Sequence, residues 1–342
     1  MIKESKNLKE LKKISETIGN NLDWIQGAGG NTSLKENDTL WVKASGCWLS
    51  NSINKETFVP VDRKKVIRSI ENNSIDKISI KNINLNSSYS LRPSIETALH
   101  ALMPQNFVYH THSVNLISIA VLTQGKEILE NLLHEFNWAW IPYSMPGIQL
   151  AKSIQDVIIK KPNVVVLANH GLIVGGNTAK LAMELLVNVE NKAERILRKT
   201  DISNIDQLIL AISGSKYRET KYTIANSIAS DKLALKIAGK GSLYPDHVVF
   251  LGPGPMKIIS IDEIEEIIKD PLFVSNNPVI IVKGFGVIVH RDISENAESM
   301  LYCLANVLLR IRPNEKLCYL TKENEMELIG WDAEKYRQSI QT

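Results

Sequence analysis

Three histidines and one carboxylate carry the densest chemical information in this chain. His110 and His112 sit two residues apart in the apolar run Phe107-Val-Tyr-His-Thr-His112. If that run is a β-strand, both imidazoles leave one face about 7 Å apart along the chain, close enough to converge on one cation. His170, in Val-Val-Val-Leu-Ala-Asn-His-Gly, offers a third nitrogen, and Glu96, in Arg-Pro-Ser-Ile-Glu, offers a carboxylate. Three imidazoles and one carboxylate suit a divalent, zinc-like ion that keeps a position for substrate or for a displaceable fourth ligand. The His-x-His pair alone is weak; its weight comes from the placement of all four residues at the edges of strand or helix patterns.

Small-residue turns precede this set. Gly27-Ala-Gly-Gly-Asn-Thr-Ser-Leu34 joins three glycines to amide and hydroxyl side chains, so backbone N–H groups could converge on an anion with Asn31, Thr32 and Ser33 as further donors. Its spacing is neither a dinucleotide fingerprint nor a Walker loop. A tight surface turn is the plain alternative. Lys43-Ala-Ser-Gly46 follows, placing an ammonium and the Ser45 hydroxyl where a phosphate would fit.

The elements that must position these groups can be read from periodicity. Residues 5–19 form an amphipathic helix pattern through Leu8, Leu11, Ile14 and Ile18. Strand patterns cover Thr39–Lys43 and Phe58–Val61, the latter ending at Asp62, a suitable helix cap. The polar run 71–90 reads as a solvated loop. Pro93 and Ser94 are expected to open a helix that ends at Pro104, with Glu96 in its first turn and His100 one turn deeper as a packed or supporting residue. A helix is expected from Val114 to Leu122, a partly helical stretch from Leu129 to Phe136, an amphipathic helix over 148–159 and a long helix over 178–198 capped by Thr178.

Three domains are expected: a metal-binding domain over 1–200, a linker or covering helices over 201–238, and a C-terminal α/β lobe without metal ligands over 239–342. The lobe opens with Gly241–Pro255, which reads as strand-like between turns. Residues from Asn277 onward, laid on those from Pro162 at a constant offset of 115, repeat strand, glycine turn, strand and helix, with Gly286 matching Gly171 and Phe285 standing at the place of His170. His247 and His290 are expected to be structural.

Composition narrows the function classes. The 342 residues suffice for a sizeable core, and 40 lysines and arginines against 37 acids give no reason to expect a nucleic-acid partner. Three widely spaced cysteines, Cys47, Cys303 and Cys318, point to reduced thiols and a cytoplasmic protein, and make cysteine an unsuitable metal ligand here. No secretory signal pattern and no membrane-length apolar run is seen, so no membrane partner is expected.

Taken together, Gly-Gly-Asn-Thr-Ser at 29–33, Lys-Ala-Ser-Gly at 43–46, Pro-Ser-Ile-Glu at 93–96, His-Thr-His at 110–112 and Asn-His-Gly at 169–171 resemble the class II aldolase/adducin family. The resemblance is strongest to the aldolase portion of bifunctional rhamnulose-1-phosphate aldolase/short-chain dehydrogenase proteins, through Gly-Gly-Asn-Thr-Ser, Tyr-Pro-Asp-His at 244–247 and Lys-Gly-Phe-Gly at 283–286. No dinucleotide fingerprint accompanies it, and the dehydrogenase portion is expected to be absent.

The family implies an α/β/α fold with a central, mostly antiparallel sheet flanked by helices, and a zinc-dependent homo-oligomer, often a tetramer. Manganese or another divalent metal is the alternative ion. It implies carbon–carbon cleavage of a sugar phosphate or related ketose through a metal-stabilised enediolate. Residue by residue, His110, His112 and His170 become metal ligands, Glu96 the fourth ligand and acid/base, and Asn31, Ser45, Gly46 and Ser94 the phosphate cradle. Ile95 replaces a second serine expected for phosphate, so that either Lys43 is the compensating donor or the group bound is a different acid such as a carboxylate. Glu96 is expected to need a pKa raised toward neutrality. Related members carry out epimerisation, decarboxylation or dehydration at a similar ion, and a non-catalytic adducin-like scaffold is the alternative of a different class.

Overall fold

The structure, a computed structural model, describes residues 4–72, 83–85, 91–200 and 204–331. Most of the expected loop 71–90 and the segment beyond Trp331 lie outside these residues. The chain has two compact units, one holding the described part of Met1–Ala120 with Gln124–Glu194, the other Val121–Thr123 with the described part of Arg195–Lys335.

Alternating side chains build the sheet of the first unit. Its strands are β1 (Asn31–Glu36), β2 (Thr39–Lys43), β3 (Phe58–Asp62), β4 (Phe107–Thr111), β5 (Trp138–Ile141), β6 (Val164–Leu167) and β7 (Gly171–Gly176), in the order β3-β2-β1-β4-β7-β6-β5. Every neighbouring pair is antiparallel except β5 with β6. Period-two alternation sends Tyr109, Leu34, Leu172 and Val174 to one face, where they pack with Leu8, Leu11 and Ile18 of the helix Lys6–Gly19 and with Ala182, Leu186 and Val189 of the helix Ala179–Lys192. The other face carries Val108, Val165 and Ile173 against Leu99 and Met103 and against Leu150 and Ile154 of the helix Ile148–Ile158. The result is the expected α/β/α arrangement, and burying both faces is what makes the strands apolar.

Caps follow the sequence. Asp62 accepts from the Lys65 N–H at 3.0 Å and Thr178 from the Leu181 N–H at 3.2 Å, each satisfying a helix donor that otherwise lacks an intrahelical partner.

One helix start differs from expectation. Pro93 pairs with Ala44 in an isolated β-bridge, so the chain is still extended there, and the helix begins only at Thr97 and runs to Leu102. Glu96 therefore occupies the position immediately before the first turn.

The second unit holds a sheet in the order β8-β11-β10-β9, formed by β8 (Tyr217–Glu219), β9 (Ile258–Ile259), β10 (Val279–Val282) and β11 (Gly286–His290). Its register repeats that of the first unit at the expected offset: Val164 pairs with Val174 and Val279 with Val289, and Leu167 with Gly171 as Val282 with Gly286. The repeat extends beyond the hairpin, because β10 has a parallel neighbour in β9 as β6 has in β5, and β11 an antiparallel neighbour in β8 as β7 has in β4. Ile173 pairs with His110, whereas its counterpart Ile288 pairs with Glu219. The second sheet thus matches β4-β7-β6-β5 with Glu219 and Phe285 at the places of His110 and His170.

Two readings change here. Among the described residues of 201–238, expected as linker or covering helices, lies β8 beside helices. The strand-like reading of Gly241–Pro255 is replaced by a helix, Pro245–Leu251, packed against the helices Glu295–Arg310 and Lys322–Gly330. Pro245 fits its first turn, where a missing N–H costs nothing, and tertiary contact overrides the strand preference of Val248-Val249-Phe250.

Candidate metal centre

His110 lies on β4, His112 one residue beyond the strand, and His170 in the turn Ala168–His170 that joins β6 to β7. Because β4 and β7 are hydrogen-bonded neighbours, the end of one and the turn leading into the other meet at the same edge of the sheet. The join is tight: a Cβ on Gly171 would stand 2.3 Å from the Thr111 carbonyl oxygen and 3.3 Å from the His110 ring, so only glycine allows the two chains this approach. Gly30 is a second such point, with φ of 54° and a hypothetical Cβ 2.7 Å from the His110 carbonyl oxygen.

Ligand atoms of the three imidazoles lie within 4.8 Å of one another. His110 Nε2 is 3.2 Å from His112 Nε2 and 3.3 Å from His170 Nε2. Glu96 closes the group, its Oε2 3.4 Å from His110 Nε2 and its Oε1 3.6 Å from His170 Nε2. Nitrogen ligands about 2.0–2.1 Å from a tetrahedral ion stand roughly 3.3–3.4 Å from each other, so the spacing fits a single small cation. Donor chemistry agrees. The His110 Nδ1–H donates to the Leu172 carbonyl oxygen at 3.0 Å, which leaves the Nε2 lone pair directed inward. Glu96 Oε1 is buried and accepts no hydrogen bond among the described residues. Lone pairs and a carboxylate oxygen facing one another repel unless a cation or protons lie between them. The three histidines can therefore coordinate a divalent metal.

Burial alone would raise the Glu96 pKa. Without an ion, positive charge on His110 and His170, the hydrogen bond from Asn31 and positive charge on His112 together outweigh it and hold the carboxyl at about 2; with neutral imidazoles around an ion, the cation takes the place of those charges. The direction is opposite to the raised pKa expected from burial, because positive charge beside the carboxyl favours its ionised form.

Around Glu96, the expected substrate residues separate into two groups. Asn31 stands directly opposite His110 in the β1–β4 register and donates from Nδ2 to Glu96 Oε2 at 2.7 Å and to Ser94 Oγ at 3.3 Å. Ser94 Oγ also accepts from the Glu96 N–H at 3.2 Å. The Ser45 N–H donates to the Arg92 carbonyl at 2.8 Å and the Ser94 N–H to the Lys43 carbonyl at 2.9 Å, which sets the Lys43–Gly46 turn beside Ser94. Gly46, with φ of 79°, completes that turn.

Two expected residues are placed elsewhere. Thr32 is on the opposite face of β1, where its hydroxyl hydrogen-bonds Ser15 at 2.6 Å beneath the helix Lys6–Gly19. Once Asn31 is fixed toward His110, period two sends the next side chain away. Lys43 is buried, its ammonium donating to the Ala28 carbonyl at 2.7 Å and the Cys47 carbonyl at 2.6 Å. It fastens the glycine-rich turn to the Lys43–Gly46 turn.

Beneath the carboxylate, His100 takes the supporting place expected of it, and Ser33, expected as a donor to an anion, faces that ring instead. Ser33 Oγ lies 2.7 Å from His100 Nδ1, and His100 Nε2 hydrogen-bonds Asn31 Oδ1. Burial first, and then the Lys35 charge, push the His100 pKa down to about 3, so the ring is neutral. The available signal was spacing: Asn31 and Ser33 at strand period, Glu96 and His100 at helix period.

Residues 9–197 match the family model described as class II aldolase and adducin N-terminal domain. Over 206 residues, 56% of this chain, the sequence is 30% identical to the uncharacterized oxidoreductase YuxG of Bacillus subtilis (strain 168), of which the matched stretch spans 30%. A solved N-terminal class II aldolase domain of a conserved protein from Thermoplasma acidophilum is 30% identical, with a TM-score of 0.49, covering 56% of this chain and 94% of that one. The sugar-phosphate aldolase from Thermotoga maritima is 14% identical, with a TM-score of 0.43, covering 55% of this chain and 92% of that one. No helix among the described residues is long and apolar enough to cross a membrane. By the extent of the family match, the chain belongs to the class II aldolase and adducin N-terminal domain family.

Proposed function

We propose that this protein is a metal-dependent carbon–carbon lyase that cleaves and forms the aldol bond of a sugar phosphate or related ketose. The observation that carries this reading is the convergence of three buried imidazoles with ligand atoms within 4.8 Å of one another, His110 Nε2 lying 3.2 and 3.3 Å from the other two and 3.4 Å from the Glu96 carboxylate. In it, His110, His112 and His170 hold a divalent ion, taken as zinc with manganese as the alternative, and Glu96 is the fourth, displaceable ligand. The ion, when bound, supplies a Lewis acid beside which negative charge can develop on the ketose oxygens.

The remaining work falls to the chain's own residues. In the condensing direction Glu96, as a carboxylate, takes a proton from the carbon next to the donor carbonyl; in cleavage the hydroxyl on the carbon that leaves as the aldehyde gives its proton to solvent as the carbon–carbon bond breaks, and Glu96, carrying a proton, delivers one to the donor carbon left behind. Asn31 anchors its Oε2, so Oε1 is the oxygen that moves the proton. Ser94 Oγ accepts from both Asn31 and the Glu96 N–H, which directs its own hydrogen outward, and with Ser45 and the Gly46 turn it holds the phosphate. Burial of the group excludes water that would quench the developing charge.

The proposal extends to a cytoplasmic homo-oligomer, tetrameric as the resemblance implies, whose first domain carries the chemistry and whose second lobe is a scaffold. It also places the chain with the aldolase portion of bifunctional aldolase–dehydrogenase proteins. In support, the curated relative is named an oxidoreductase and the matched stretch spans 30% of it. The test is release of an aldehyde from phosphorylated and unphosphorylated ketoses by metal-replete protein.

A further inference from the structure

A chain of hydrogen bonds runs from the core to the oxygen of Glu96 that faces His110. The Asn31 amide nitrogen lies 2.7 Å from Glu96 Oε2 and donates to it, so Oδ1 is the atom that turns to His100. Oδ1 in turn needs a donor, which fixes the proton of the neutral imidazole on Nε2. His100 Nδ1 is then the acceptor of the Ser33 hydroxyl at 2.7 Å. Each assignment forces the next, and the direction is single: Ser33 to His100 to Asn31 to Glu96. Ser33 and His100 are fully buried.

We propose that Ser33 and His100 are positioning residues that act through Asn31, holding its amide with nitrogen toward Glu96 so that Oε2 is tethered and Oε1 alone turns to His170. The inference rests on the reading of Glu96 given above. Loss of the Ser33 hydroxyl frees the imidazole to move its proton to Nδ1. An unprotonated Nε2 would then repel Asn31 Oδ1, and an amide that turned over would set its oxygen against the carboxylate. Partners that orient a metal site in this way are each worth about 10–100-fold in metal affinity or activity.

The test uses full-length protein with histidine labelled at both ring nitrogens. Nitrogen NMR of His100, assigned by its loss in His100→Gln, reads the tautomer with or without metal. Wild type is expected to carry the proton on Nε2, and Ser33→Ala to shift toward Nδ1; a proton on Nδ1 in wild type, or no change in Ser33→Ala, overturns the proposal. Zinc affinity by chelator competition is the second readout. Ser33→Ala and His100→Leu are expected to bind zinc about 10–100-fold more weakly, while His100→Gln, which can donate to Asn31 and accept from Ser33, recovers most of the loss. A purely packing role predicts equal zinc affinity in Ser33→Ala and wild type, and no advantage of Gln over Leu. If His100→Leu does not fold, Ser33→Ala and His100→Gln decide. Wild type that binds no zinc contradicts the metal reading, while the tautomer measurement still decides the relay.

Discussion

His110 Nε2 and His170 Nε2 stand 3.3 Å apart although their residues are 60 positions apart in the chain. The β4–β7 pairing makes that meeting obligatory, and the second unit shows the same pairing without the histidines. His170→Phe copies the Phe285 of the second sheet into the first. It is expected to keep the fold and lose the metal: about one ion per chain by elemental analysis in wild type, none retained after desalting in the variant. Metal retained by His170→Phe would place the ion elsewhere.

Glu96→Gln keeps the shape and the Asn31 contact partner but cannot take up a proton. Metal content is expected to persist through the three imidazoles, with turnover falling about 100- to 10,000-fold. An active Gln variant, or one that holds no metal, removes Glu96 from the acid/base role.

Gly171→Ala tests the positioning directly. The added Cβ would meet the Thr111 carbonyl oxygen at 2.3 Å, a backbone atom that can yield only if β4 and β7 separate. Thermal melting is expected to show a loss of about 1–3 kcal/mol, accompanied by weaker metal binding. A variant with wild-type melting temperature and metal affinity would show that the strands have room to spare.

The phosphate cradle makes a more selective prediction. Ser94→Ala removes the hydroxyl that Asn31 and the Glu96 N–H orient. KM for a phosphorylated ketose should rise about 10-fold or more, with less change for the unphosphorylated sugar. Equal effects on both substrates would assign Ser94 to shaping the loop.

Acid sensitivity should be traceable to His247. Burial lowers its pKa to about 4 from an ordinary value of 6.5. A lowered histidine pKa means the unfolded chain binds the proton first, so its contribution is complete above about 6.5 and is lost as pH falls toward 4. Urea unfolding between those values should show His247→Gln with a slope shallower by about 1.4 kcal/mol per pH unit. Equal slopes would mean the native protein accommodates the charge.

The three-histidine cluster is legible in the sequence because each histidine lies at or beside the end of an apolar strand pattern, and the sheet needs only its apolar alternation. Long-range contacts hid the rest. Nothing local reveals that Pro93 bridges to Ala44 and delays the helix to Thr97, nor that Lys43 is capped by the Ala28 and Cys47 carbonyls. Thr32 faces away from the site because the glycine-rich run gives way to β1 at Asn31, after which period two decides which face each side chain takes. The register of β8 against β11, which sets Glu219 where the first sheet has His110, depends on pairing across 69 positions, from Glu219 to Ile288.

The central claim is most directly tested by aldehyde release from a panel of ketose 1-phosphates, using protein purified without chelator, the same protein after chelation, and His170→Phe. Release by the first, loss on chelation, recovery with zinc or manganese and silence in His170→Phe is the predicted pattern. Protein that carries no metal and releases no aldehyde from any ketose after zinc or manganese is added would contradict it.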